Sequence, residues 1–477
     1  MKIKNFKRNK FAEIFLYLCA LFIFFSSPIL ASDNIFGLHL SQTEDIHSAV
    51  KIINSQNGDW GWATIVIQTN QLNQNTWQDF FDNCRKYHII PIVRIATIGD
   101  GDNWKVPDYS DIDHIVSFLN SLNWPTKQQH VILFNEINHG SEWGGEVNIK
   151  DFVDKSYYAA KKFKDTNPNF FILSCGLDLV APDQMPKYQS AENVYREIIS
   201  LNQNYFDNID ALASHSYPNN GFVGTPNDIG KHSIHGYQWE LDLLKELGVN
   251  KDLPVFITET GWPHREGIEK QNNYYTSKTT SSFLIEALDI WSQDSRVKAA
   301  TPFTYNYAQK PFDHFSWLDE NGDLFPEYQK IVDLPKKQNQ PEQVLSYKLE
   351  RINIPIFILE NNEYDGEIVL KNTGQSIWGE KRFCLISKSS PNITTSEICS
   401  DNNLTYPGQY KIFKFKFIVK NIKDYQDETF LSWGDLDNFE IQKFAKESTI
   451  YHPKENFFQR IIDSFKSFFY SKIKAGS

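Results

Sequence analysis

From residue 36 to about 334 the chain alternates short apolar runs with segments whose apolar residues recur near every 3.6 positions. The runs Phe36–Leu40, Ala63–Gln68, Ile89–Ile95, Val131–Glu136, Phe171–Cys175, Ile209–His215, Pro254–Glu259 and Ala299–Tyr305 predict strands. Between them Glu44–Ser55, Trp77–His88, Asp111–Asn123, Asp151–Lys164, Ala191–Asn204, His235–Gly248 and Thr276–Asp294 predict amphipathic helices, and the shorter Pro326–Val332 closes the series. Continuous apolar strands alternating with such helices indicate a parallel sheet covered by helices. Eight units in roughly 300 residues fit an α/β fold of the closed (β/α)8 TIM-barrel type, over residues 34–334. An open doubly wound sheet would place a Gly-rich turn after the first strand. Here that strand runs out through His39-Leu40-Ser41-Gln42-Thr43.

The period then changes. Residues 335–343 read as a polar, Pro-containing linker. Beyond it Ile356–Leu359, Glu367–Leu370, Lys381–Ile386 and Lys411–Val419 have β-branched or alternating character, punctuated by Asn361-Asn362, Asn372-Thr373-Gly374 and Pro407-Gly408. This pattern predicts a small C-terminal antiparallel β-sandwich over residues 344–448. The hairpin Val369–Trp378 resembles immunoglobulin-like accessory modules with an NTG-x-x-x-W turn. Residues 449–477 read as an amphipathic tail: Phe457, Phe458, Ile461, Ile462, Phe465, Phe468, Phe469 and Ile473 share a helical face, with Arg460, Lys466, Lys472 and Lys474 among them. Docking across the rest of the chain and contact with a membrane surface are both open readings of that face.

Composition narrows the picture. A length of 477 residues suits a barrel plus a smaller module, and 41% apolar residues supply a large core. A formal net charge of −11 argues against a nucleic-acid partner. No P-loop, GxGxxG or paired CxxC occurs. A basic stretch from Met1 to Lys10, the apolar run Ile14–Phe25 and the small residues leading to Ala31 are the layout of a secretory signal peptide, residues 1–31. The apolar run is shorter than the roughly 20 residues a membrane span needs, although an uncleaved anchor is the alternative. The chain is therefore expected to be secreted or associated with the cell envelope, as a monomer. Cys84 and Cys175 fall in apolar patterns and read as buried small hydrophobes. Export permits a disulfide between Cys384 and Cys399, but sequence leaves bridged and free thiols equally open.

The chemistry is read at the C-terminal ends of the strands, where a barrel of this kind keeps its site. The fourth strand ends Leu133-Phe134-Asn135-Glu136-Ile137-Asn138, and the seventh Phe256-Ile257-Thr258-Glu259-Thr260-Gly261-Trp262-Pro263. The sixth ends Ser214-His215-Ser216-Tyr217-Pro218. A carboxylate where an apolar strand meets the mouth needs a reason to be there. Helix capping or pairing with Arg94 is the structural reason, and acid–base chemistry the functional one.

Asn-Glu after the fourth strand, His-x-Tyr after the sixth and TETGWP after the seventh, in that order, resemble clan A of the glycoside hydrolases. The resemblance spans the whole predicted barrel. It implies Glu136 as general acid/base, Glu259 as nucleophile, Asn135 as the group binding the sugar 2-OH, Tyr217 as a hydrogen-bond donor to the nucleophile, and His215 as a support for the acid/base region. Arg94, at the end of the third strand, is a natural cation to keep Glu259 ionised. Retention needs two carboxylates roughly 5–5.5 Å apart, with surroundings that push their pKa values in opposite directions. This chemistry needs no metal and no other cofactor, and its partner is a carbohydrate. The implied activity is hydrolysis of a β-linked oligo- or polysaccharide through a glycosyl-enzyme intermediate. A non-catalytic carbohydrate-binding or envelope protein, and a transglycosylase using the same two glutamates, are the alternatives.

One departure stands out. Many clan A enzymes carry a Trp at the end of the eighth strand as a floor for the sugar. This chain reads Phe303-Thr304-Tyr305-Asn306-Tyr307 there, so Tyr305 or Trp317 is expected to substitute. Trp143, Trp262 and Trp317 are expected to offer stacking faces, while Trp60, Trp62, Trp77, Trp124, Trp239 and Trp291 are expected to pack. Glu142, in the Gly-rich loop His139–Gly145, could compete for the acid role but, lying in a loop and not at a strand end, reads as a substrate contact or a bystander.

Overall fold

The structure is a computed structural model that describes residues 33–355, 357–359, 361–387 and 393–420, with the later strands Leu431–Asp435, Gln442–Phe444 and Thr449–Tyr451. The expected signal peptide and the tail beyond residue 451 lie outside the described residues. Ten strands precede residue 334: β1 (Gly37–Leu40), β2 (Gly61–Gln68), β3 (Ile89–Ala96), β4 (Gly99–Asp100), β5 (Asn103–Trp104), β6 (Gln129–Ile132), β7 (Phe170–Leu173), β8 (Leu212–Ser214), β9 (Val255–Ile257) and β10 (Val297–Ala300). Parallel pairing runs in the order β1-β2-β3-β6-β7 in one sheet and β10-β9-β8 in another. Single parallel bridges, Phe36 to Ala300 and Leu173 to Ala211, link the two sheets at both edges. The architecture is mixed α/β with parallel strands, and continuous ladder pairing does not run round a full circle.

Helices α1 (Ile46–Ile53), α2 (Gln74–Tyr87), α3 (Tyr109–Ser121), α4 (Ile149–Thr166), α5 (Ala191–Leu201), α6 (Gly236–Glu246), α7 (Ser277–Ser292) and α8 (Gln329–Val332) alternate with these strands. Polar residues open them as the sequence demands: the side chain of Asn73 accepts from Thr76 N at 3.0 Å, and that of Asn148 from Asp151 N at 3.0 Å. Successive strand residues face opposite ways, and both faces are apolar. Trp60, Trp62, Ile90, Ile92, Ile132, Leu173, Ala213 and Phe256 pack together on one side. Ile65, Ile67, Ile89, Val93 and Ile95 join the helices on the other. That is why the strands read as unbroken apolar runs.

Five of the predicted strands end early: β7 stops at Leu173 and β10 at Ala300, and three others stop short of the motifs. β6 stops at Ile132, β8 at Ser214 and β9 at Ile257, so the motif residues lie just beyond the ladders. Phe134 (φ +66°) and Glu136 (φ +32°) take left-handed conformations that side chains other than glycine rarely adopt. An apolar run signals burial, and these residues are buried or half-buried without being paired.

The C-terminal region holds β11 (Tyr347–Asn353), β12 (Phe357–Leu359), β13 (Glu363–Asn372), β14 (Cys384–Ser387), β15 (Ile393–Thr395), β16 (Ile398–Cys399), β17 (Tyr410–Val419), β18 (Leu431–Asp435), β19 (Gln442–Phe444) and β20 (Thr449–Tyr451). Two antiparallel sheets form, in the orders β11-β13-β17-β15 and β16-β14-β18-β19. Along β17 Phe413, Phe415, Phe417 and Val419 are buried while Tyr410 and Ile412 are exposed, the alternation of a sheet with one covered face. Cys384 and Cys399 face each other across β14 and β16 and are bridged, whereas Cys84 and Cys175 are buried free thiols. Thr449–Tyr451, the start of the expected tail, pairs with β12 as a strand instead.

This region touches the loops that enter β3 and β6. Asn123 Nδ2 donates to Gly374 O at 3.0 Å, Gln375 Nε2 to Thr126 O at 2.9 Å, and His88 lies 3.4 Å from Glu380. These contacts lie at the strands' N-terminal ends, away from the glutamates. Among the described residues no helix is long and apolar enough to cross a membrane.

Candidate active site

Beyond the C-terminal strand ends, Glu136, His215 and Glu259 each offer a donor atom within 4.8 Å of the others. His215 Nδ1 lies 2.8 Å from Glu136 Oε1 and 3.9 Å from Glu259 Oε2. The imidazole reaches this position because residue 176 is glycine: a Cβ there would come within 2.3 Å of His215 Nε2. Arg94 donates from one guanidinium nitrogen both to Glu259 Oε1 and, at 2.5 Å, to Asn135 Oδ1. Tyr217 donates its hydroxyl to Glu259 Oε2 at 3.3 Å. Glu136, Glu259, Asn135, His215, Tyr217 and Arg94, six residues from four strand ends, are thus brought together.

The field at the mouth is uneven. Burial would raise the Glu259 carboxyl, but His215, Arg94, His39 and the Tyr217 hydroxyl outweigh it and hold it down to about 2. Burial would lower His215, and the neighbouring Glu259 and Glu136 outweigh that and raise it. Tyr217 is pushed far up by burial and by the same two carboxylates, so it remains a donor. Glu142 goes the opposite way from Glu259: burial, then the charge of Glu136, raise it to about 7 despite Arg94 and a hydrogen bond from Asn135. Near neutral pH Glu259 is therefore ionised while Glu142, within the same site, is about half protonated. The triad's donor atoms could also embrace a cation, but Arg94 already supplies positive charge against Glu259.

No protein-family model matches the chain, and no curated protein matches it. Solved structures do. An FMN-binding β-glucuronidase from Facaelibacterium prausnitzii L2-6 is 10% identical over 89% of this chain and 57% of its own, with a TM-score of 0.40. A glucosidase from Croceicoccus marinus is 9% identical over 83% of this chain and 98% of its own, at 0.46. A family 51 α-L-arabinofuranosidase from Bifidobacterium longum is 11% identical over 81% of this chain and 97% of its own, at 0.41. This chain spans a little over half the length of the β-glucuronidase. Identities and TM-scores of this size carry no activity from one chain to another.

The aromatic expectations need correction. Trp143, Trp262 and Trp317 are each 1% exposed and Tyr305 is 3% exposed, so none has a face open for stacking. Trp143 packs on Phe134 and Phe152 and donates to Asp151 at 2.9 Å. Trp262 donates to Gly224 O at 2.7 Å, and Trp317 packs against Phe36 and Tyr328. Large aromatic surfaces beside an apolar core gain more from burial there than from waiting at a wet mouth. These side chains support the loops from beneath. Trp60, Trp62, Trp77, Trp124 and Trp291 are buried as expected, and Trp239 is partly buried against the helical core.

Three features escape the sequence reading. Phe303 is half-buried where Tyr305 is buried, with its ring edge-on to His39 at 5.2 Å. Phe303, Phe315, Phe222 and Tyr217 form an edge-to-face chain around the same mouth. His39 lies 3.9 Å from Glu259; Glu142, which the sequence already named, enters the field of both glutamates. His39 carried one usable signal, a polar residue inside the otherwise apolar first strand.

Proposed function

We propose that the chain is an exported retaining glycoside hydrolase, acting on a β-linked glycan with Glu259 as nucleophile and Glu136 as acid/base. In this reading the eight parallel strands from β1 to β10, leaving out the β4–β5 hairpin, make a (β/α)8 barrel, and the C-terminal sheets make an accessory sandwich. The observation that carries it is the convergence of two glutamates around His215 within 4.8 Å, one of them held ionised by Arg94. That spacing suits direct attack on an anomeric carbon, leaving no room for the intervening water that inversion requires at roughly 6.5–9.5 Å.

The reaction then follows from the groups present. Glu259 attacks the anomeric carbon as the glycosidic bond breaks, and the departing oxygen takes a proton from the acid. A water, deprotonated by the same residue, releases the sugar from Glu259. Asn135, held by Arg94, is placed to bind the 2-OH, and Tyr217 orients the nucleophile.

A second reading of the acid has its own support. Glu142, raised to about 7, keeps its proton in about half of the molecules at neutral pH beside Glu136. Its raised carboxyl suits a proton donor, while the contact of Glu136 with His215 suits the position the resemblance assigns.

Replacing Glu259 with Gln tests the central assignment. On a panel of β-glycans and aryl β-glycosides the variant should lose roughly 1,000-fold or more of kcat, and a 2-deoxy-2-fluoro glycoside should label wild-type Glu259 covalently. Undiminished turnover in the variant removes the nucleophile. Glycan binding without turnover or labelling in the wild type favours a non-catalytic protein, and products longer than the substrate favour transglycosylation.

A further inference from the structure

His39 lies on β1, is 3% exposed, and among the described residues neither ring nitrogen has a hydrogen-bond partner. An apolar side chain would avoid the cost of burying two unmatched polar atoms. The ring is nonetheless held in place. Its backbone N–H donates to Pro302 O at 3.1 Å, its carbonyl accepts from Tyr305 N at 2.8 Å and from Thr304 Oγ1 at 3.1 Å, and its ring meets the Phe303 ring edge-on. Nε2 lies 3.9 Å from Glu259 Oε1, beyond direct hydrogen-bond reach. One oxygen atom can sit about 2.8 Å from both.

We propose that His39 is a further substrate-binding residue, whose imidazole hydrogen-bonds a hydroxyl of the sugar seated over Glu259 and so selects which sugar the site accepts. The proposal rests on the glycosidase reading above. Burial holds the imidazole neutral, with its pKa lowered to about 3. A neutral ring has one donor and one acceptor nitrogen, and a sugar hydroxyl likewise donates and accepts. Nε2, the nitrogen facing Glu259, can give or take one such bond with that hydroxyl. Arg94 reaches Glu259 Oε1 from β3 and holds Asn135, whereas His39 reaches the same oxygen from β1, so His39 and Asn135 meet different hydroxyls.

The test compares wild type, His39→Phe and His39→Asn on 4-nitrophenyl β-D-glycosides of glucose, galactose, mannose and xylose. Phe keeps the ring shape without the nitrogens, and Asn keeps a donor and an acceptor. His39→Phe should lose roughly 10- to 100-fold in kcat/KM on the best glycoside and much less on its poorest epimer, so selectivity compresses. Its Tm should stay level or rise, because the unmatched atoms are gone, and His39→Asn should recover part of the selectivity. Unchanged selectivity in His39→Phe overturns the proposal. So does a selectivity loss accompanied by a lower Tm in His39→Phe. A wild type that turns over none of the four glycosides and takes no label from the 2-fluoro sugar overturns the glycosidase reading itself, and is thereby distinguishable.

Discussion

At the scale of single residues, the mouth sets the Glu259 carboxyl against His215 and Arg94. The guanidinium of Arg94 touches Glu259 and Asn135 together, so it both favours the ionised carboxylate and fixes the amide. Arg94→Met removes one cause that holds Glu259 down, so the Glu259 pKa rises. Activity requires the ionised form and falls as pH drops through that pKa. The acid limb of kcat/KM should therefore move to higher pH, with kcat/KM lower by roughly 100-fold at neutral pH; an unmoved limb would separate Arg94 from the nucleophile. The assignment of the acid has its own measurement. In Glu136→Gln, azide should restore turnover by attacking the glycosyl-enzyme in place of activated water, while Glu142→Gln should shift the alkaline limb near pH 7 and remain insensitive to azide. Azide rescue confined to Glu142→Gln would transfer the acid/base role to that residue.

At the scale of elements, periodicity found strands and helices well and misjudged where the strands end. Alternation of apolar and polar positions reports which face is covered, and the residues beyond β6 and β9 are covered without being laddered. The same blindness hid Glu240. It reads as a polar position on α6 but is fully buried, accepting from Tyr195 Oη at 2.6 Å and from Ser214. Burial raises its carboxyl to about 7, above the value of an unfolded chain. A group raised on folding contributes its full stability below its unfolded pKa and loses it as pH climbs through the folded one. Thermal stability should accordingly fall between about pH 5 and pH 8. Glu240→Gln should shrink that fall by roughly 2 kcal/mol, read as Tm against pH; an identical slope in the variant would refute the buried acid.

At the scale of the whole molecule, the two ends of the parallel strands do different work. The C-terminal sheets meet the loops before β3 and β6, at the end remote from Glu136 and Glu259. Ending the chain after residue 343 should therefore lower Tm by uncovering that face, yet leave kcat on a small aryl glycoside within about two-fold, since the removed contacts carry stability and not chemistry. A large loss of kcat with an intact circular-dichroism spectrum would show that the C-terminal region reaches the mouth.

The sequence by itself determined the order of strands and helices, because burial on both faces leaves unbroken apolar runs. It also marked Glu136 and Glu259, because carboxylates ending such runs have few structural excuses, while the resemblance picked out Asn135, His215 and Tyr217 beside them. Tertiary structure alone decided which aromatics face the mouth. Trp143, Trp262, Trp317 and Tyr305 could each have gone either way, and the free energy of burying a large ring drew them beneath the loops. Bridging of Cys384 and Cys399 likewise depended on a cross-strand register that composition does not encode. Protonation states were the last to be decided. Glu142 and Glu259 are the same residue type, and only the charges and burial around each send one to about 7 and the other to about 2.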